Sequence, residues 1–288
     1  MIFLLLSILF NSVLYVVFTV FKKQEIDTLQ AIVINYFIAS SLAFSQANVS
    51  YGLLKTPNQK WFFATIILGV LFISLFNLMA KTTQYLGVSV AAISGKMSMV
   101  IPVLFGIMVY KEPVNLLKIV AIFLALSAVY LTSIKEKMEV NIKLLYLPVI
   151  LFFGSGLLDT LLKYFEKNYV ATDEVSIFIG TIFFNAMLIG IVVLLIKSTK
   201  RKIRFNVKNI IGGVLLGIFN YYAMFFLVKS LQTMGKYDSS KVFTLNNIGI
   251  VLVSALFGFL LFQEKFSKKN ILGIFFAILS VYLLMISY

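Results

Sequence analysis

Stretches of about 18 or more residues with almost no charge recur along this whole chain, and each is long enough to cross roughly 30 Å of hydrocarbon at about 1.5 Å per residue. No single soluble core can hide so many. Of the 288 residues 61% are hydrophobic and 12% charged, and the mean hydropathy is +1.01; soluble domains run near one-half apolar and one-quarter charged. The stretches read as helices. A β-barrel would show short segments of apolar/polar alternation, and the runs Ile66 to Leu78 and Ile250 to Phe262 show none.

Taking charge clusters as loops predicts an all-α integral membrane protein. Its ten transmembrane helices fall near residues 2–21, 29–46, 61–80, 87–110, 114–134, 144–165, 174–197, 209–231, 239–262 and 270–287. The first stretch starts at Ile2 with no basic residue ahead of it and no small-residue cleavage site behind it, so it reads as a retained helix. Cysteine and histidine are absent, which removes disulfides, thiol nucleophiles, Cys or His metal ligands and imidazole relays. No metal or cofactor is expected. The net charge of +14 belongs to loops and helix ends, where basic residues hold headgroups and set topology. No basic face is separable from those loops, so no nucleic-acid partner is expected.

The chain repeats itself. With an offset of 152, Tyr110 to Ser133 lies over Phe262 to Met285, matching Glu112 with Glu264, Ile119 with Ile271, Phe123 with Phe275 and Ala125 with Ala277. Val129, Tyr130 and Leu131 then match Val281, Tyr282 and Leu283. With an offset of 148, Lys81, Gln84 and Gly87 fall on Lys229, Gln232 and Gly235, and Asn11-Ser12 falls on Asp159-Thr160. Two copies are expected, over residues 1–137 and 138–288. Five helices per copy is an odd number, so the second copy must enter the bilayer from the opposite side. Inverted repeats of this kind enclose midplane sites in secondary transporters.

The segment Ala80 to Ala92, then Ile101-Pro102, Tyr110-Lys111-Glu112-Pro113 and Leu117 to Leu131, is repeated in part by Gln263-Glu264-Lys265 and Ile271 to Tyr282. In this order they resemble the drug/metabolite transporter superfamily, in particular its ten-helix branch of two EamA domains. The resemblance spans essentially the whole chain. It implies a carrier in the plasma or inner membrane, often an exporter of amino acids or other small metabolites. Where the second helix of such families often carries an arginine, this chain has Asn35, with Asn185 at the corresponding place of the seventh.

Charged groups inside a bilayer cost several kcal/mol unless paired or hydrated, so each one is a candidate for function. Asp159 is the acidic residue well inside an apolar segment, with Lys163 at i+4 on the same face. They read either as a substrate anchor or proton-coupling carboxylate, or as a structural ion pair whose lysine snorkels. Lys96 lies near mid-bilayer in the fourth helix, where it can bind a substrate carboxylate or phosphate, pair with Asp159 and exchange that partner for substrate, or form a fixed interhelical bridge. Pro102 should kink that helix beside it. The small residues Gly87, Ser89, Ala91, Ala92, Ser94 and Gly95 suit close helix packing or a cavity.

Asn246, Asn247, Asn11 and Tyr221 offer amide and phenol groups that either bind a polar solute or join helices; Asn35, Asn77, Asn185, Asn220 and Tyr222 share that ambiguity. Glu112 and Glu264, at matching turns, are expected to cap the helix that follows each. The partners expected are therefore a small-molecule substrate, membrane lipid and protons. A channel or scaffold is the alternative. An intramembrane enzyme would need a nucleophile and base within reach of each other, and Asp159 alone does not supply them.

Overall fold

The computed structural model describes residues 1–46, 53–110, 114–133, 144–171, 174–200 and 206–286, and no strand occurs among them. The helices are α1 (Ile2–Lys23), α2 (Thr28–Ser45), α3 (Phe62–Leu86), α4 (Val88–Met97), α5 (Val100–Tyr110), α6 (Leu116–Ser133), α7 (Tyr146–Tyr169), α8 (Val175–Lys200), α9 (Val207–Phe262) and α10 (Lys268–Ile286). Among the described residues eight helical segments are long and apolar enough to span a membrane, and two shorter apolar helices, Leu116–Thr132 and Tyr146–Leu162, fill the remaining places. Large apolar side chains such as Phe63, Phe123, Tyr130, Phe153 and Phe259 stand exposed on them, as lipid contact requires.

Two boundaries differ from the expected ones. The fourth apolar segment is two helices, interrupted at Ser98 and Met99. Pro102 has no N–H to donate to the Ser98 carbonyl, which instead accepts from the Ile101 N–H at 2.9 Å, while the Ser98 hydroxyl donates to the Gly95 carbonyl at 2.6 Å. The expected eighth and ninth helices are one unbroken element of 56 residues. No proline falls in its residues 231–244, and Gly235 alone costs a helix only about 1 kcal/mol. At about 1.5 Å per residue α9 is far longer than a bilayer is thick, and its membrane segments are Val207–Ser230 and Leu245–Phe262.

The chain forms two compact units. One comprises Met1–Val20, Leu78–Leu157 and Tyr222–Tyr288, and the other Phe21–Asn77 and Leu158–Tyr221. In the first, α6 and α10 pack along their length. Ser280 Oγ donates to the Ala121 carbonyl at 2.7 Å, and Asn270 Nδ2 to the Leu131 and Thr132 carbonyls at 3.2 and 3.1 Å. Partner numbers fall as α10 advances, so the pair is antiparallel. In the second unit α2 and α8 also run antiparallel, with Gly180 against Phe44 and Gly190 against Val33. Each pair joins a helix to its own counterpart in the other copy. An inverted repeat requires that sense, because copies entering the bilayer from the same side would make counterparts parallel.

Small residues bring the helices of the second unit together. A methyl group at Gly213 would sit 2.6 Å from Ile34 Cβ and 2.8 Å from the Ala31 carbonyl, and one at Gly217 2.9 Å from the Asn35 carbonyl. Amide bonds lie along the same α2–α9 seam: Asn209 Nδ2 donates to Gln30 Oε1 at 3.0 Å, and Asn220 Nδ2 to Asn35 Oδ1 at 3.2 Å. Gly213→Val is expected to destabilise the protein by about 1–3 kcal/mol through overpacking, read as a lower unfolding midpoint in detergent. An unchanged midpoint would mean that the seam adjusts freely.

Glu264 corrects a sequence expectation. It does not cap α10, whose start is satisfied by a reciprocal pair: Asn270 N–H donates to Ser267 Oγ at 3.2 Å and Ser267 N–H to Asn270 Oδ1 at 3.0 Å. Its carboxylate instead accepts from the start of α4, with Val88 N–H at 2.6 Å, Ser89 N–H at 3.4 Å and Ser89 Oγ at 2.8 Å. The preceding residue, Gly87, has φ of +102° and no side chain to cap with. Glu112 lies outside the described residues.

Candidate functional site

The first unit gathers Lys96, Asn11, Asn246, Asn247 and Pro102 on α1, α4, α5 and α9. Helix α1 meets α9 where Ile8 fills the space over Gly249 and Ser12 Oγ points to the Ile250 carbonyl at 3.5 Å. It meets α4 where Tyr15 Oη approaches Gly95, 3.5 Å from the place a methyl group would take. The end of α4 and the start of α5 share an apolar cluster with α9, Ile93 and Met97 of α4 and Val100 of α5 packing with Val251. Asn247 Nδ2 reaches Met99 Sδ at 3.5 Å, a weak acceptor.

Among the described residues of this unit three buried oxygens have no hydrogen-bond partner: Ser94 Oγ on α4, and Asn246 Oδ1 and Ser254 Oγ on α9. Asn246, Ile250 and Ser254 follow at i, i+4 and i+8, so they share the face of α9 that receives Ser12. Ser94 and Asn246 are 0% and 3% exposed. An unsatisfied buried polar group costs about 1–3 kcal/mol, so such oxygens call for water or a polar solute. Lys96 is half-buried, two residues beyond Ser94.

Three other amides are hydrogen-bonded within the protein, whereas Asn35 Nδ2 in the second unit is buried without a partner. Asn11 Nδ2 donates to the Ser7 carbonyl at 3.1 Å and Asn77 Nδ2 to the Ile73 carbonyl at 2.8 Å, both on their own helices. Asn185 Nδ2 bonds Thr65 Oγ1 at 2.9 Å, joining α8 to α3.

The second unit holds Asp159, exposed although it lies inside an apolar helix, and half-buried Tyr221. A carboxylate at that depth needs a paired group or water rather than lipid. The side chain of Lys163 lies outside the described residues. Lys96 and Asp159 thus belong to different units. Among the described residues no group of acidic side chains is disposed to hold a metal ion.

The model of the EamA-like transporter family matches this chain twice, over residues 1–134 and 148–286. The chain belongs to the EamA-like transporter family. An uncharacterized protein of Haemophilus influenzae is 26% identical over 98% of this chain and 96% of its own. A crystal structure of a protein 11% identical superposes with a TM-score of 0.62, covering 99% of this chain and 96% of that one, which shows a shared fold. As an EamA-like protein the chain is a transporter of the drug/metabolite type and a multi-pass protein of the cell membrane. Membership in a transporter family accords with the expectation that it is not an enzyme.

Two features of this EamA-like chain escaped sequence reading. Ser94 is one of several small residues that suit packing or a cavity alike, and its unpartnered hydroxyl depends on neighbours that no local pattern reveals. Lys118 is 2% exposed in the first turn of α6, where its N–H donates to Asn115 Oδ1 at 2.9 Å.

Proposed function

We propose that this EamA-like protein is a secondary transporter, working as an exporter, of small zwitterionic metabolites such as amino acids. It moves them by alternating access between two inverted copies over residues 1–137 and 138–288. The three unpartnered oxygens on α4 and α9, with Lys96 on the same α4, carry the reading. The Lys96 ammonium suits a carboxylate. Asn246 Oδ1 accepts only, and Ser94 Oγ can accept, so together they suit an ammonium group. Asp159 suits proton coupling, and Asn11, Asn247 and Tyr221 are proposed as further polar contacts.

The reading is tested by thermal unfolding of the purified protein with a panel of amino acids, each beside its N-acetyl and methyl-ester forms. A ligand at a hundred times its Kd stabilises by about 2.7 kcal/mol. Free amino acids should raise the midpoint and the capped forms should not; equal shifts from capped and free forms would refute the zwitterion assignment.

Asn246→Leu gives a sharper test. Replacing an unsatisfied buried amide by an apolar group of similar size should leave the ligand-free midpoint unchanged or raised, while the affinity for the amino acid falls about tenfold. A lowered ligand-free midpoint would make Asn246 a helix joint instead.

A further inference from the structure

Helix α4 is a ten-residue segment hinged at both ends. Gly87, at φ +102°, precedes it, and the interruption at Ser98 and Met99 follows it. Between these breaks four of its eight buried residues are small, Ser89, Ala91, Ala92 and Ser94, which lets neighbouring backbones approach closely. The first N–H groups of a helix have no partner within it, and Gly87 brings no side chain to satisfy them.

Glu264 supplies what Gly87 lacks. The turn that carries it is shaped for the task. Gln263 takes the left-handed conformation at φ +52°, and Glu264 N–H bonds the Gly258 carbonyl at 3.0 Å, which aims the carboxylate at Val88 and Ser89. Two glycines make room for it. A methyl group at Gly87 would lie 2.5 Å from Glu264 Oε1, and one at Gly258 would collide with Oε2 while lying 2.9 Å from Ser89 Oγ. A carboxylate seated between two glycines on three donors is a fitted lock, whereas a solvated interfacial glutamate needs no such clearance.

We propose that Glu264 is a positioning residue for transport: its carboxylate locks α4, and through it Ser94 and Lys96, in the orientation seen here, and its release lets α4 move during the cycle. The inference rests on the transporter reading above and adds the element that moves and the contact that restrains it. Lys96 lies in the last turn of α4, at the end opposite the lock, so a tilt about Gly87 displaces it further than any other side chain of that turn except those beside it.

The sequence contains no cysteine, so a single introduced thiol reports cleanly. Ser94→Cys in α4 is labelled with a small permeant maleimide in proteoliposomes, alone and combined with Glu264→Gln or with Gly258→Ala. The first variant removes the charge. The second leaves the carboxylate intact and pushes it off its seat, so either serves if the other fails to fold. Both are expected to raise the labelling rate about tenfold, the equivalent of one lost charge-assisted hydrogen bond. A second reporter, Ser280→Cys in the α6–α10 seam, should stay slow. Unchanged labelling at position 94 in the folded variants, or an equal rise at position 280 from general loosening, would overturn the lock. Labelling needs no substrate, so faster labelling in the variants beside a wild-type protein that moves no amino acid would support the lock while refuting the substrate assigned above.

Discussion

Lys96→Gln is expected to abolish transport, lowering counterflow at least about a hundredfold, while the protein remains folded and monodisperse. A substrate carboxylate held by an ammonium group loses about 1.5–3 kcal/mol when the charge goes, which is roughly ten- to hundredfold in binding alone. The remainder comes from the step in which the bound solute must be carried. Glutamine keeps much of the length and a polar tip that can still donate a hydrogen bond. Folding should therefore be spared. Counterflow and the unfolding midpoint measured on the same preparation separate the two effects, and normal counterflow in the variant would remove Lys96 from the site.

Asp159→Asn should abolish transport as well. Asparagine is close to isosteric but neither titrates nor attracts an ammonium group. Asp159 is exposed on α7, so no packing is lost and the midpoint should hold. Comparing flux with and without an imposed pH gradient identifies the role. Proton coupling predicts that the wild-type rate follows the gradient and that the variant does not respond to it. Flux in the variant equal to wild type under both conditions would return Asp159 to a structural ion pair.

Much of the fold was legible because membrane insertion is governed by length and hydropathy, both local properties. The ten apolar segments were found at their places, and the odd number of helices per copy anticipated the antiparallel pairing of α6 with α10 and of α2 with α8. The polar matches were informative for the same reason. Asn115 and Ser267, which cap α6 and α10, stand 152 residues apart, the offset that aligns the copies.

What escaped is long-range. Glu264 was assigned to the helix just after it because capping is usually local, yet its partners Val88 and Ser89 lie 176 and 175 residues away. The Ser267/Asn270 pair already satisfied α10 and was the available signal that the glutamate was free for another task. The fate of a glycine in an apolar run was equally hidden. Gly87 ends a helix and Gly235 does not, although both close the same K-x-x-Q-x-x-G pattern. At Gly87 a distant carboxylate rewards the exposed N–H groups, and nothing within the pattern itself encodes that. Among nine polar candidates that looked alike, only the three-dimensional neighbours separated Asn246, with its unpartnered oxygen, from Asn185, which joins two helices.

Coupled carriage of a small solute is what separates a carrier from a channel. The direct measurement is counterflow of labelled amino acids in proteoliposomes loaded with the unlabelled compound, with and without a pH gradient. Alternating access predicts saturable uptake that is accelerated by solute on the far side and altered by the gradient. Flux that neither saturates nor responds to solute on the far side would mean a channel, and no flux of any amino acid from demonstrably folded protein would contradict the proposed substrate class.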